Sequence, residues 1–280
     1  MPDLNALAAA AVALLGTERD SEEFRTSSHR LAQFAAAIGD PMPAHREGRV
    51  AVPTFAHIPV MQSMVEVIGR VTGDFALHGE HDYVFHAPIV PGQRLFSRSR
   101  LTGVRTNAAG LLLHIRSDTA THAGEAVCTQ VSTVLVTGKA DPMTAGDAPP
   151  ARPLATGGAE VQDSFDISPA LTLAYAEAAR DYSAYCLDPE AAEALGFPAP
   201  IVHGMLTLSL ACSAIVADHA GGDARRLRRL GCRFSQPLYS REGETLQITR
   251  AMDTAGLVAF SAMDRAGKPV LTRGYAEVSA

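Results

Sequence analysis

The sequence predicts an α+β fold built twice in tandem. Two observations carry that expectation. An order of features recurs at a nearly steady offset: Asp40 and Asp181 lie 141 residues apart, Pro88 and Pro237 149, and Gly110 and Gly256 146. That regularity is the mark of an internal duplication. Within each copy, an apolar segment of helical period precedes runs that alternate with period two and are punctuated by glycine.

The elements follow in order. The run from Leu4 to Leu15 is alanine-rich and follows Asp3; it reads as a helix that caps the core or a partner subunit. It is too short to span a bilayer and has neither basic leader nor cleavage site, so a cytoplasmic, soluble chain is expected. FAAAIGDPMPAH at 34–45 forms a helix end and loop, and YAEAARDYSAYC at 175–186 is its counterpart. From Pro59 to Arg70, Val60, Met61, Met64, Val65 and Ile68 fall at helical spacing, and His203 to His219 does the same with Met205, Leu206, Leu208, Leu210, Ile215 and Val216. FHAPIVPGQRLFSRSRL at 85–101 pairs with FSQPLYSREGETLQITR at 234–250. Alternating strands follow from residues 110 and 256, joined by turns at His122–Glu125 and Arg265–Lys268. Lys139 to Gln162, rich in Pro, Gly and Ala, reads as a linker. The expected domains are therefore 1–138, a linker over 139–162, and 163–280.

Composition narrows the function. With 47% hydrophobic residues in 280, the chain can bury a full core. A net charge of −6 argues against a nucleic-acid partner. The four cysteines are scattered without a CxxC pair, which suggests reduced thiols and neither a disulfide framework nor a zinc site. His78, His81 and His86 are close in sequence, but strand alternation would send His78 and His81 to opposite faces, so no metal is expected. There is no Walker loop, dinucleotide fingerprint or Gly-x-Ser-x-Gly elbow, and nothing points to a bound cofactor.

The chemistry concentrates between Ala179 and Thr207. His203-Gly204 opens an apolar helix, and a helix beginning with glycine offers bare N–H groups and a positive dipole end to an oxygen that becomes negative. Asp181 on the preceding loop supplies an acid, with Ser183 beside it. Acid plus oxyanion site means proton transfer next to a carbonyl. His203 itself reads as a packed histidine that shapes the loop. The run Arg225, Arg226, Arg228 and Arg229 is the strongest positive cluster; arginines there could grip phosphate, although a solvated strand lead-in is the commoner meaning.

Asp181, Asp188-Pro189, Gly196-Phe197, Pro200-Ile201 and His203-Gly204 together resemble the signature of MaoC-like (R)-specific enoyl-CoA hydratases, also called hydratase 2. The resemblance covers about residues 20–280 and implies a double hot-dog, each half an antiparallel sheet wrapped on a central helix. It also implies a catalytic role for Asp181, a lyase that adds water to a 2-enoyl thioester or removes it from the (R)-3-hydroxyacyl form, and coenzyme A or an acyl carrier as part of the substrate. Arg180, Ser183 and Cys186 replace the family's Gly, Asn and catalytic His. Cys186 is then either a proton carrier or a small core residue. In the first copy, Gly39-Asp40-Pro41-Met42-Pro43-Ala44-His45 keeps Gly, Asp, Pro and His at the family spacing, with Met42 in place of the Asn. Asp40 and His45 thus form a second candidate pair, or a relic. Val52 to His57 stands where the first copy lacks a His-Gly helix start.

Two other functions compete: a degenerate hot-dog that binds an acyl ligand or a catalytic subunit without turnover, and a hot-dog thioesterase. The chain could work alone or pair into a homodimer.

Overall fold

The computed structural model describes residues 3–73, 76–155 and 157–279. Its first elements are α1 (Leu4–Ala13), β1 (Glu18–Asp20), β2 (Phe24–Arg25), α2 (Ser28–Ala37) and α3 (Pro43–Arg46). A 3-10 helix (Pro53–Val60) runs into α4 (Met61–Thr72), followed by β3 (Leu77–Phe85), β4 (Arg94–Asn107), β5 (Gly110–Thr121), β6 (Ala126–Thr137) and β7 (Met143–Gly146). The remainder comprises β8 (Glu160–Ile167), α5 (Pro169–Ala179), α6 (Ala184–Leu187), α7 (Pro189–Ala194), α8 (Gly204–His219), β9 (Leu227–Phe234), β10 (Glu244–Met252), β11 (Leu257–Asp264) and β12 (Pro269–Val278).

The chain forms two compact units that interleave in sequence. One comprises Met1–Arg25, Pro59–Ala87 and Gln93–Ala151; the other Thr26–Ile58, Pro88–Gly92 and Arg152–Ala280. The duplication appears in the strand order. The first unit runs β1-β4-β5-β6-β3 and the second β8-β10-β11-β12-β9, every pairing antiparallel. The two orders are the same pattern written twice.

In the first unit, α4 turns Ser63, Met64, Val67 and Val71 inward. Met64, Val67 and Val71 share a core with Leu4, Ala8 and Ala11 of α1 and with Leu101, Val104, Leu111, Leu113 and Ile115 of the sheet. In the second unit, α8 is buried at every residue from Met205 to Val216. A helix apolar all round has no solvent face and must be enclosed. At the end of α8, Arg250 of β10 is 2% exposed and its Nη2 pairs with Asp163 of β8 at 2.6 Å and with Asp218 of α8. Its counterpart in the first repeat is Leu101, so one copy fills this position with an apolar side chain and the other with a buried guanidinium that reaches two partly exposed carboxylates.

The linear division at 138 does not describe these units. Leu31, Phe34 and Ala35 of α2 are buried, and the Phe34 ring lies 5.9 Å from that of Tyr175 on α5. Apolar packing against α5 therefore draws the first copy's helical loop into the second unit. The expected linker is also partly ordered: β7 pairs with β4, and β8 starts at Glu160.

A further correction concerns the histidines of β3. His78 Nε2 and His81 Nδ1 lie 3.1 Å apart, not on opposite faces. A register shift between His78 and Glu80 breaks the alternation locally. His81 Nδ1 also meets Ser132 Oγ at 3.1 Å.

Candidate active site

Both acid loops belong to the second unit and share one backbone design. Ser27 caps α2 by accepting from the Arg30 amide, and Ser168 caps α5 by accepting from the Leu171 amide. Each helix ends in a left-handed residue, Gly39 at φ 65° and Arg180 at φ 56°. The Asp40 amide then donates to Ala35 O (2.9 Å), and the Asp181 amide to Ala176 O (3.0 Å). Each carboxylate accepts from the amide two residues on: Met42 N to Asp40 Oδ1 at 2.8 Å, Ser183 N to Asp181 Oδ1 at 3.2 Å. Glycine suits the left-handed position; Arg180 holds it at a cost of about 1 kcal/mol.

The side chains then diverge. In the first loop Asp40 is 1% exposed and His45 0%. Asp40 Oδ1 lies 2.9 Å from His45 Nδ1, and Oδ2 accepts from Ser213 Oγ of α8 at 2.7 Å. Both oxygens are thus engaged, while His45 Nε2 is buried with no hydrogen-bond partner. Ser213 lies nine residues into α8 from Gly204, roughly 13 Å along the axis. Phe55 is fully buried, and its amide already donates to Val52 O at 2.9 Å as the 3-10 helix begins.

In the second loop the Asp181 side chain is 21% exposed. Ser183 Oγ donates to its Oδ1 at 2.7 Å, and no protein donor reaches Oδ2 among the described residues. Cys186 is 3% exposed, and burial, with the Asp181 charge second, pushes its thiol far above the usual range. A thiol so placed stays neutral and is a poor proton carrier. Gly204 is half-buried at the first position of α8, and no protein acceptor is recorded for its amide among the described residues. A Cβ at this position would sit 3.1 Å from the Phe234 ring, a tight contact that the ring would have to yield a few tenths of an ångström to admit.

His203 precedes it, 4% exposed. Its Nε2 donates to the backbone oxygen of Asp181 at 3.0 Å and lies 3.9 Å from Asp181 Oδ1. Burial lowers its pKa, only partly offset by Asp181, so the ring is neutral. With the proton on Nε2, Nδ1 is a bare acceptor, and it has no partner. The Nε2 bond joins His203 to a loop 22 residues earlier, so no local sequence pattern marks it.

The arginines separate. Arg225 pairs with Asp223 at 2.8 Å and Arg226 Nε donates to Ser279 O at 2.9 Å, whereas Arg228 is exposed with no partner among the described residues. Among those residues, no group of three or more His, Cys, Asp or Glu is placed to hold a metal ion.

Residues 153–258 match the model of the MaoC like domain, and residues 13–130 that of the FAS1-like, dehydratase domain region. The second half of the chain is thus similar to a MaoC-like domain. The chain's relatives include a peroxisomal enoyl-CoA hydratase 2 of Arabidopsis thaliana, 25% identical over 84% of this chain and 80% of that one. Enoyl-CoA hydratase ChsH3 of Mycobacterium tuberculosis is 28% identical over 88% and 90%. A MaoC-like dehydratase from Phytophthora capsici superposes with a TM-score of 0.83 at 21% identity, covering 97% of both chains, which establishes the shared fold. With a Mycobacterium tuberculosis protein described as a double hotdog (TM-score 0.63, 16% identity, 94% of each chain), it assigns this MaoC-like chain the double hot-dog fold. No helix among the described residues is long and apolar enough to cross a membrane.

Proposed function

We propose that this MaoC-like protein is a hydro-lyase acting on acyl thioesters. It adds water across the C2=C3 bond of a 2-enoyl thioester, or removes it from the (R)-3-hydroxyacyl form. The observation that carries this reading is the pairing of a partly exposed carboxylate, Asp181, with the unclaimed amide of Gly204 at the start of a buried helix. Asp181 takes a proton from water as the water oxygen bonds to C3. The C2=C3 electron pair moves toward the thioester carbonyl, and the Gly204 N–H with the positive end of α8 stabilises the enolate oxygen. Asp181 then returns the proton to C2, so that one water is added and the acid is restored. Coenzyme A or a carrier arm enters as part of the substrate and no separate cofactor is required; Arg228, and Arg225 if released from Asp223, would meet its phosphates. A cytoplasmic location and a homodimer fit this reading.

The test is direct. Purified protein is mixed with 2-enoyl-CoA thioesters of several chain lengths, and loss of the conjugated absorbance is followed with chiral analysis of the product. Formation of (R)-3-hydroxyacyl-CoA supports the proposal. Unchanged absorbance across the panel overturns it. The neutral thiol at Cys186 favours one alternative, an acyl binder without turnover; calorimetry showing tight binding with no hydration would select it. Release of free thiol would select a thioesterase.

A further inference from the structure

We infer that His203 is the positioning imidazole of this site, holding the loop that carries Asp181 where position 186 offers only a buried thiol. The inference rests on the proposed hydratase reading and extends it to a residue of this chain. His203 and the acid are in direct contact: its Nε2–H donates to the Asp181 carbonyl at 3.0 Å and lies 3.9 Å from Oδ1. Its ring faces Tyr175 with centroids 5.3 Å apart and planes at 49°. Tyr175 sits on the helix that ends in the acid loop, so the ring is oriented from the same side.

His203 stands at the N-cap of α8 yet makes no side-chain cap bond. Serine, threonine or aspartate at an N-cap usually turns back onto the helix amides. This imidazole turns away and leaves the first amides of α8 available, tethering the acid loop to the residue beside Gly204. Proton donor and oxyanion donor are thereby fixed to each other by a single hydrogen bond. The other loop lacks this device. Thr54, 149 residues earlier, accepts from Ser209 Oγ at 2.8 Å, and Asp40 is held by His45 and Ser213.

The experiment compares wild type with His203→Phe, His203→Gln, Cys186→Ser and Asp181→Asn, assayed for enoyl-CoA hydration, kcat and KM separately, with melting curves for each. Phe keeps the ring against Tyr175 and removes the N–H; Gln restores an N–H near the Nε2 position. The expected result is a fall in kcat on the order of 30-fold for His203→Phe with KM within about threefold, recovery to within roughly fivefold for His203→Gln, and a change under about threefold for Cys186→Ser. If His203→Phe keeps wild-type kcat while Asp181→Asn is dead, the positioning role is overturned and the hydratase reading survives. If Cys186→Ser falls more than about tenfold, residue 186 is the partner and the inference is again overturned; that variant decides the matter should His203→Phe not fold. Absence of hydration by wild type removes the underlying function instead.

Discussion

The first loop has the acid and the imidazole; the second has the acid and the amide. Their backbones repeat bond for bond, through the serine cap, the left-handed residue and the amide two positions beyond the acid. What separates them is where the carboxylate's neighbours spend their hydrogen bonds. Asp40 is closed in by Met42 N, His45 and Ser213, whereas Asp181 keeps one oxygen without a protein donor and a fifth of its side chain in reach of solvent. A residue pair that matches a catalytic pattern can therefore be structural, and a loop that breaks the pattern can still present the chemistry.

The largest effect that would break this comparison is at Asp181. Asp181→Asn is expected to lower kcat/KM for enoyl thioesters by about 10³-fold with little change in melting temperature, whereas Asp40→Asn stays within about tenfold of wild type. Reversal of that order, read in one steady-state assay, would transfer the active site to the first loop. Gly204→Ala comes next: the Cβ must push against the Phe234 ring, and displacement of the amide is expected to cost about 10²-fold in kcat.

Asp40→Asn sharpens the contrast in stability. Replacing a fully engaged buried carboxylate weakens its bonds to His45 and Ser213, and a loss of about 2 kcal/mol in denaturant unfolding is expected. The corresponding change at the more exposed Asp181 is expected to stay below about 1 kcal/mol. The smallest effect is at Arg180. Because that residue already occupies left-handed space, Arg180→Gly is expected to raise stability by about 0.5 kcal/mol, measured as a small upward shift in melting temperature; a drop would show that the guanidinium contributes more than its backbone strain costs.

Much of the fold was legible in the chain. Steady offsets between Asp40 and Asp181, Pro88 and Pro237, and Gly110 and Gly256 anticipated one strand order written in both halves, and glycine turns located the hairpins β5–β6 and β11–β12. Less visible was anything that depends on contacts distant in sequence. The grouping of α2 with α5 rests on Phe34 meeting Tyr175, and no local pattern marks it. The bulge beside Gly79 that brings His78 onto His81 overrode a rule that holds along the rest of β3. At the site, residue types could be read from the motif, but their hydrogen-bond commitments could not. Nothing local indicates that Asp40 is saturated or that His203 reaches back to the acid loop, whereas the core reading of Cys186 matches its 3% exposure.

The 3-10 turn that begins at Pro53 carries a lesson for engineering. Because the Val52 carbonyl already claims the Phe55 amide, reinstating asparagine at position 42 would complete a motif without creating a receptor for charge. On the proposed reading, giving the first copy such a receptor requires re-cutting that bend so that a helix starts with a glycine and an idle N–H. On that reading, the difference between the duplicates lies in the main chain, where side-chain reversion does not reach it.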